Sequence, residues 1–223
     1  MASATKITPS KPILILLYGF PGAGKTYFAR NLSDIVQCAH VHSDRIRHEL
    51  FEEPRFDDQE NGIVKHLMDY MTSEFLAAGV SVVYDTNMMR KGERHRMREM
   101  ARKSGVQTLL VWFQVDAESS FKRINQRDRR KSDDKFAVEY DQEDFRRYAS
   151  RMQQPTVNED YVVVSGKHTF NSQKSSFLKR LKEMNLISTE TVQSEVVKPG
   201  LINLVPQALS GRVDMKRRNI NIR

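Results

Sequence analysis

A glycine-rich octapeptide near the start of the chain has residue types that suit the binding of an anion. It runs from Gly19 to Thr26 with the pattern G-x-x-x-x-G-K-T, directly after the apolar run 13–18. Glycines let the backbone take positive φ angles and close around a ligand, with its N–H groups pointing inward. Because an apolar strand precedes it and a plausible helix start follows, the pattern predicts a phosphate-binding loop rather than a turn with an incidental lysine.

The loop residues have separate expected roles toward a nucleoside triphosphate. Gly22, Ala23 and Gly24 supply backbone N–H groups, and the following helix adds its positive end. Lys25 is expected to bridge the β- and γ-phosphates, so it serves both binding and catalysis. The Thr26 hydroxyl is expected to ligate Mg²⁺ on the same phosphate oxygens. The loop therefore predicts ATP and Mg²⁺ as cofactors.

A second polar group follows the short apolar segment 39–42, which we interpret as a strand. Ser43 is expected to cap a helix that carries Asp44 and Arg47, and a spacing of three places these two on one face. Asp44 is a candidate general base that accepts the proton of an acceptor hydroxyl, or else a capping or salt-bridging carboxylate. Arg47 is a candidate ligand for an anionic substrate, or else a partner for Asp44 or Glu52.

A third polar group, Asp85 and Asn87, ends the β-branched run 80–84. Because parallel α/β sheets bind ligands at the carboxyl ends of their strands, both residues are candidate substrate ligands. Asp85 is equally suited to hold Mg²⁺ through water or to hydrogen-bond the phosphate-binding loop.

Two groups of arginines receive different interpretations. Arg127 and Arg130 belong to a basic segment within 125–134 that has too little apolar content to pack inside. We expect one or two of its arginines to close over the triphosphate and stabilise transition-state charge. The arginines of the predicted helix 92–104, among them Arg94, are expected to form a solvated face.

Strand and helix patterns alternate along the chain, which predicts an α/β fold with a five-stranded parallel sheet between helical layers. The predicted strands are 13–18, 39–42, 80–84, 107–115 and 161–164, and the main predicted helices are 25–36, 59–78, 92–104, 142–152 and 172–184. We expect one domain over 12–186, after a disordered lead-in at 1–11 and before an irregular basic tail at 187–223.

The composition of the chain limits which kinds of protein it can be. The 223 residues carry a net charge of +8 and a single cysteine, Cys38, and no apolar run reaches the length of a membrane span. The polar N-terminus and lone cysteine predict a cytoplasmic protein with no membrane partner. The last twelve residues hold five Lys/Arg against one Asp, a net of +4 that is half of the total, and the tail is therefore a candidate contact for nucleic acid or another subunit.

These motifs together resemble those of a known group of enzymes. The phosphate-binding loop, the segment Ser43 to Arg47, the tripeptide Asp85-Thr86-Asn87 and the Arg127 to Arg130 cluster are similar to those of P-loop kinases related to phage polynucleotide 5′-kinase and zeta-toxin-like enzymes. The resemblance covers roughly 13–182 and implies a three-layer, nucleoside-monophosphate-kinase-like P-loop NTPase of the AAA-type ATP-binding kinases, with an arginine-bearing lid. It implies Asp44 as general base, Arg47 as ligand of the acceptor's phosphate, and Arg127 or Arg130 as ligand of the donor phosphates.

Three functions remain open on this basis. The first is an ATP-dependent kinase that transfers the γ-phosphate to a hydroxyl, on either a nucleic-acid 5′ end or a small metabolite. The second is an ATP-binding or ATP-hydrolysing protein without an acceptor, which would not need Asp44 or Arg47. The third is an RNA-associated protein that acts through its basic tail.

Overall fold

Strands and helices alternate along the chain in the computed structural model, which describes residues 6–128, 136 and 138–188. The strands are β1 (Ile13–Tyr18), β2 (Cys38–His42), β3 (Ser81–Asn87), β4 (Gln107–Gln114) and β5 (Tyr161–Ser165). The helices are α1 (Lys25–Ile35), α2 (Ser43–Leu50), α3 (Asp58–Ala77), α4 (Lys91–Lys103), α5 (Ala117–Asn125), α6 (Gln142–Ser150) and α7 (Phe170–Glu183). All strand pairs are parallel, in the order β2, β3, β1, β4, β5, which confirms the predicted sheet.

The central strand, β1, buries every one of its side chains and so holds the layers together. Successive strand residues face opposite sides of a sheet, so a strand covered on both sides is a continuous apolar run. Ile13, Ile15 and Leu17 pack into one core, whose helical members come from α1 and α7. The residues between them pack into a second core with members from α3 and α4. The result is the predicted three-layer arrangement.

Several local boundaries differ from the predicted ones. Helix α2 begins at Ser43 itself, with His42 at the N-cap position and no side-chain cap, so the predicted capping role of Ser43 is wrong. Strand β3 extends through Asn87, because the polar tip continues the extended backbone of the β-branched run. Asp116 is the residue that caps α5, accepting from the Ser119 N–H at 2.7 Å.

The described part of the predicted disordered lead-in is hydrogen-bonded. The Ile7 N–H donates to the Ile35 carbonyl and the Ile7 carbonyl accepts from the Gln37 N–H, both at 2.8 Å. The Ser10 N–H donates to the Leu186 carbonyl. The expectation of disorder is therefore wrong for residues 6–11. Within them, Ile7 forms an isolated parallel β-bridge with Val36, directly after α1. Residues 1–5 and the tail from 189 onward lie outside the described residues.

No helix in the described ranges is both long enough and apolar enough to span a membrane.

Arg94 of α4, predicted to be solvated, is the largest fully buried side chain among the described residues. Its Nε lies 2.6 Å and its Nη2 lies 3.1 Å from the two carboxylate oxygens of Glu159. Its Nη1 donates to the carbonyls of Met88 and Gln153. Burial opposes ionisation of Glu159, but the bonds from Arg94 and from the Thr156 N–H outweigh it and lower the pKa of Glu159 to about 2. The ion pair thus holds the loop that contains Glu159, just before β5, against helix α4.

We expect Arg94→Ala to lower the free energy of unfolding by about 3–5 kcal/mol, since it leaves the shielded carboxylate of Glu159 without its main partner. Urea unfolding at neutral pH measures this. The matched control is Arg102→Ala, also on α4, where the guanidinium is exposed and pairs with Glu99 at the surface; this substitution should leave the free energy of unfolding close to that of wild type. Equal effects of the two substitutions would show that the buried pair is not a major contributor to stability.

Candidate active site

The loop between β1 and α1 has a backbone conformation that requires glycine. Gly22 and Gly24 have φ angles of 82° and 92°, in the left-handed region. A Cβ atom on Gly22 would also lie 2.4 Å from the Ser120 carbonyl oxygen, too close for any side chain. Gly24 is the N-cap of α1 and no described side chain caps this helix, which leaves its first-turn N–H groups for a ligand. The loop therefore has the geometry of an anion-binding helix start.

A cavity of about 450 Å³ lies beside this loop, at the carboxyl ends of the strands. It brings together most of the residues that the sequence singled out, all of which line it: Gly22, Gly24, Lys25, Thr26, Asp44, Asp85, Asn87 and Arg127. Ala23 is fully buried beneath the loop. Arg47 does not line the cavity, and Arg130 lies outside the described residues.

Lys25 bends back over the loop. Its Nζ donates to the carbonyls of Gly19 and Phe20, each at 2.9 Å. The pKa of Lys25 is lowered to about 8, chiefly because burial removes its hydration; the carboxylates of Asp85 and Asp44 oppose this shift and the charge of Arg127 adds to it. The ammonium at the cavity wall thus donates to two backbone carbonyls, which phosphate oxygens could replace as its acceptors.

Asp85 connects the loop to β2 through its two carboxylate oxygens. Oδ1 accepts from the Thr26 hydroxyl at 3.3 Å. This is the hydrogen bond to the phosphate-binding loop that the sequence predicted as one of two roles for Asp85. Oδ2 lies 2.8 Å from Nε2 of His40 and 3.8 Å from Nε2 of His42. Burial opposes ionisation, but the hydrogen bond with His40 and the proximity of His42 and Lys25 outweigh it and lower the pKa of Asp85. The residue is therefore an ionised carboxylate at neutral pH.

Thr26 and Asp85 fit the ligand set of a magnesium ion. A hydroxyl and an ionised carboxylate meet at 3.3 Å on the cavity wall, beside the loop that would hold phosphates. Magnesium prefers such oxygen donors and completes its shell with water and phosphate oxygens. Thr26 would ligate the ion directly and Asp85 would ligate it directly or through water.

Asp44, at the start of α2, lines the same cavity. Its Oδ1 accepts from the Ser43 hydroxyl at 3.3 Å, and its Oδ2 lies 4.0 Å from Nε2 of His42. Burial raises the pKa of Asp44, an effect that the negative charge of Asp85 increases and that His42 and Ser43 reduce. A carboxylate with a raised pKa is a stronger base than an ordinary one, which suits proton abstraction from a hydroxyl.

Arg47 faces away from the cavity, into the space between α2 and α3. Its Nη1 lies 3.1 Å from Glu60 Oε2, and its Nη2 donates to Asn61. Its guanidinium also stacks 4.6 Å over the ring of Phe56. The ion pair foreseen as an alternative exists, but its partner is Glu60 rather than Asp44 or Glu52. The implied role of Arg47 toward an acceptor phosphate stays a prediction.

Asn87 links the loop to α6. Its Oδ1 accepts from the Gly19 N–H at 3.2 Å, and its Nδ2 donates to the Tyr148 hydroxyl at 2.9 Å. Tyr148 stacks edge-on against Tyr140, with ring centroids 5.7 Å apart. Burial, with the charge of Asp44, raises the pKa of Tyr140 to about 12, so this phenol stays neutral. Sequence reasoning missed both tyrosines, since nothing local links positions 140 and 148 to β3.

Arg123, in the last turn of α5, and Arg127, two residues after the helix ends, also line the cavity. Arg123 Nη1 donates to the Gly166 carbonyl at 2.7 Å, and Arg127 Nη1 donates to the Val138 carbonyl at 3.1 Å. Arg127 was predicted here, whereas Arg123 was missed. Arg123 lies in α5, before the basic segment 125–134 on which the sequence interpretation rested.

Comparison with solved structures identifies the fold. The chain is similar to the APS kinase CysC of Mycobacterium tuberculosis, with a TM-score of 0.55 at 16% identity over 78% of this chain and 99% of that chain. A gluconokinase from Sinorhizobium meliloti gives 0.56 at 14% identity over 84% and 98%. A chain of the Pnkp1/Rnl/Hen1 RNA repair complex gives 0.54 at 17% identity over 63% and 44%. These likenesses establish the P-loop kinase-like fold that the resemblance in the sequence implied.

No curated protein matches this sequence. A family model does match, over residues 14–155, which include the phosphate-binding loop and every residue that lines the cavity, from Pro21 to Tyr148. This match covers more than half of the chain, and the chain therefore belongs to the family of AAA domains that this model describes.

Proposed function

We propose that the protein is an ATP-dependent kinase that transfers the γ-phosphate to a hydroxyl group. The observation that supports this most directly is the position of Asp44, a carboxylate with a raised pKa on the wall of the same cavity as the phosphate-binding loop. Phosphoryl transfer needs positioned donor phosphates, a cation near them and a group that orients the acceptor hydroxyl. The cavity supplies residues for each of these tasks.

The donor phosphates would lie on the loop N–H groups. Lys25 would leave the carbonyls of Gly19 and Phe20 for the β- and γ-phosphates, and Arg123 and Arg127, which line the same cavity, would face them. A magnesium ion on Thr26 and Asp85 supplies neutralisation of phosphate charge when it is bound. Charge that develops in the transition state is stabilised most by such fixed cations, since they need not reorganise.

The acceptor would lie between Asp44 and the tyrosine pair. The acceptor hydroxyl gives its proton to an Asp44 carboxylate oxygen while its own oxygen bonds to the γ-phosphorus. The bond from the γ-phosphorus to the β,γ-bridging oxygen breaks, and ADP leaves with that electron pair. Protonated Asp44 then returns the proton to water. A protein that only binds ATP has no need of this carboxylate, which disfavours that form of the second hypothesis.

The contacts of Arg47 favour a small hydroxyl metabolite over a nucleic-acid 5′ end. In the sequence interpretation Arg47 was the cation that would hold the acceptor's phosphate. Its guanidinium instead pairs with Glu60, which is 1% exposed, and stacks on Phe56. On the acceptor side the cavity presents Asp44 together with the neutral rings of Tyr140 and Tyr148. A polar or ring-bearing alcohol fits this wall better than a chain of phosphates.

We expect Asp44→Asn to lower the rate of phosphate transfer by about a hundredfold or more, the usual contribution of a positioned base, while ATP affinity is unchanged. Transfer from γ-labelled ATP measures the rate. Because burial raises the pKa of Asp44, the acid limb of the wild-type pH–rate profile should lie above the ordinary value of about 3.9. The control is Glu49→Gln, an exposed carboxylate on the same helix. Near-wild-type transfer by Asp44→Asn would make Asp44 a structural residue.

Arg47→Ala separates the two roles of Arg47. If Arg47 positions α2 through Glu60, the substitution should lower kcat and stability, leaving the acceptor KM within about twofold of wild type. If Arg47 instead binds an acceptor phosphate, the acceptor KM should rise about tenfold or more, as expected for loss of a charged hydrogen bond. That rise should also depend on salt. Steady-state kinetics at two salt concentrations distinguishes these outcomes, and the second would restore the nucleic-acid acceptor.

A further inference from the structure

Two histidines beside the cavity have no part in the proposed transfer. His40 and His42 lie two residues apart on β2, so their side chains project from the same face of the sheet. Their rings stack with centroids 5.5 Å apart and an interplanar angle of 15°. In the parallel register between β2 and β3, His42 lies opposite Asp85. Two imidazoles and one carboxylate thus converge at a strand edge.

The three ligand atoms lie at distances that suit a metal ion. His40 Nε2 is 2.8 Å and His42 Nε2 is 3.8 Å from Asp85 Oδ2, and all three atoms lie within 4.8 Å of one another. Ligands bound tetrahedrally to zinc at about 2.1 Å are roughly 3.4 Å apart, a value between the two measured distances. The side chains are 21%, 12% and 3% exposed, so the group is shielded but still reachable.

The two oxygens of Asp85 face different partners. Oδ1 accepts from Thr26, on the side of the phosphate-binding loop, whereas Oδ2 faces the two histidines. A cation on Oδ2 and a magnesium ion near Oδ1 would therefore occupy different positions and share one carboxylate. The ligand atoms on the two sides of Asp85 also differ. The Thr26 side offers oxygen, which magnesium prefers, whereas the histidine side offers imidazole nitrogen, which suits zinc, iron or nickel.

We propose that His40, His42 and Asp85 form a binding site for a divalent transition-metal ion, separate from the magnesium position. Three protein ligands leave a fourth coordination position for water, and two of the three residues, His42 and Asp85, line the cavity. Because the two cations share Asp85, an ion held by the histidines withdraws negative charge from Thr26 and the magnesium position. The thermodynamic coupling is reciprocal, so bound Mg·ATP should weaken binding of the transition metal as well.

Cobalt binding to the full-length, untagged protein without nucleotide tests the site. One equivalent of Co²⁺ should produce visible d–d absorption that Zn²⁺ abolishes and excess Mg²⁺ does not. His40→Asn and His42→Asn should each weaken Co²⁺ binding by about tenfold or more, because each removes a ligand. His95→Asn, an exposed histidine on α4, is the matched control and should leave the affinity unchanged.

Cys38 requires its own control, since it lies two residues before His40 on β2. Cys38→Ser should leave the cobalt spectrum unchanged, and loss of the spectrum in this variant would overturn the proposed ligand set. Absence of one-equivalent binding in wild type, or full binding in both histidine variants, would show that the histidines serve only as hydrogen-bond partners of Asp85.

If the histidine variants do not fold, NMR of the wild-type protein decides the question. Co²⁺ should shift the imidazole signals of His40 and His42. Shifts confined to other histidines would overturn the proposal.

Discussion

The buried carboxylate of Asp85 is the interaction on which the arrangement of the site depends. It is 3% exposed, and a charge in such a place is tolerated only when it is paired and hydrogen-bonded. Its partners come from separate elements: Thr26 from α1, and His40 and His42 from β2. Satisfying this one charge therefore fixes the start of α1 against the ends of β2 and β3. The same fixed geometry places Asp44, two residues after His42, at the cavity.

Charge is divided across the cavity in a way that matches the proposed reaction. Lys25, Arg123 and Arg127 line the part beside the loop and the end of α5. Asp44 and the neutral phenols of Tyr140 and Tyr148 line the remainder. In the proposed reaction the cations would face the donor phosphates, and Asp44 would face the acceptor. Asn87 connects the two halves, because it bonds both the loop at Gly19 and the hydroxyl of Tyr148.

The sequence predicted what depends on short-range pattern. The phosphate-binding loop, the parallel sheet and the positions of Asp44 and Asp85 follow from glycine spacing, apolar runs and the rule that strand ends bind ligands. The partners of the arginines did not follow. Arg94 pairs with Glu159, 65 residues away in sequence, and Arg47 pairs with Glu60, 13 residues away. No local sequence pattern predicts either pair. The spacing of a charged residue within a predicted helix shows on which face of the helix it lies. Only the tertiary packing decides whether that face is exposed to solvent.

The measurement that tests the account most directly is transfer of label from γ-labelled ATP to a panel of acceptors in the presence of Mg²⁺. The panel contains sugars, nucleosides, small alcohol metabolites and oligonucleotides with 5′-hydroxyl ends. The account predicts label on one class of hydroxyl compound, and a loss of more than about tenfold in Lys25→Ala, which removes the cation facing the phosphates. Lys103→Ala, an exposed lysine on α4, should transfer normally. ATP hydrolysis with no labelled acceptor, or undiminished transfer by a folded Lys25→Ala protein, would contradict it.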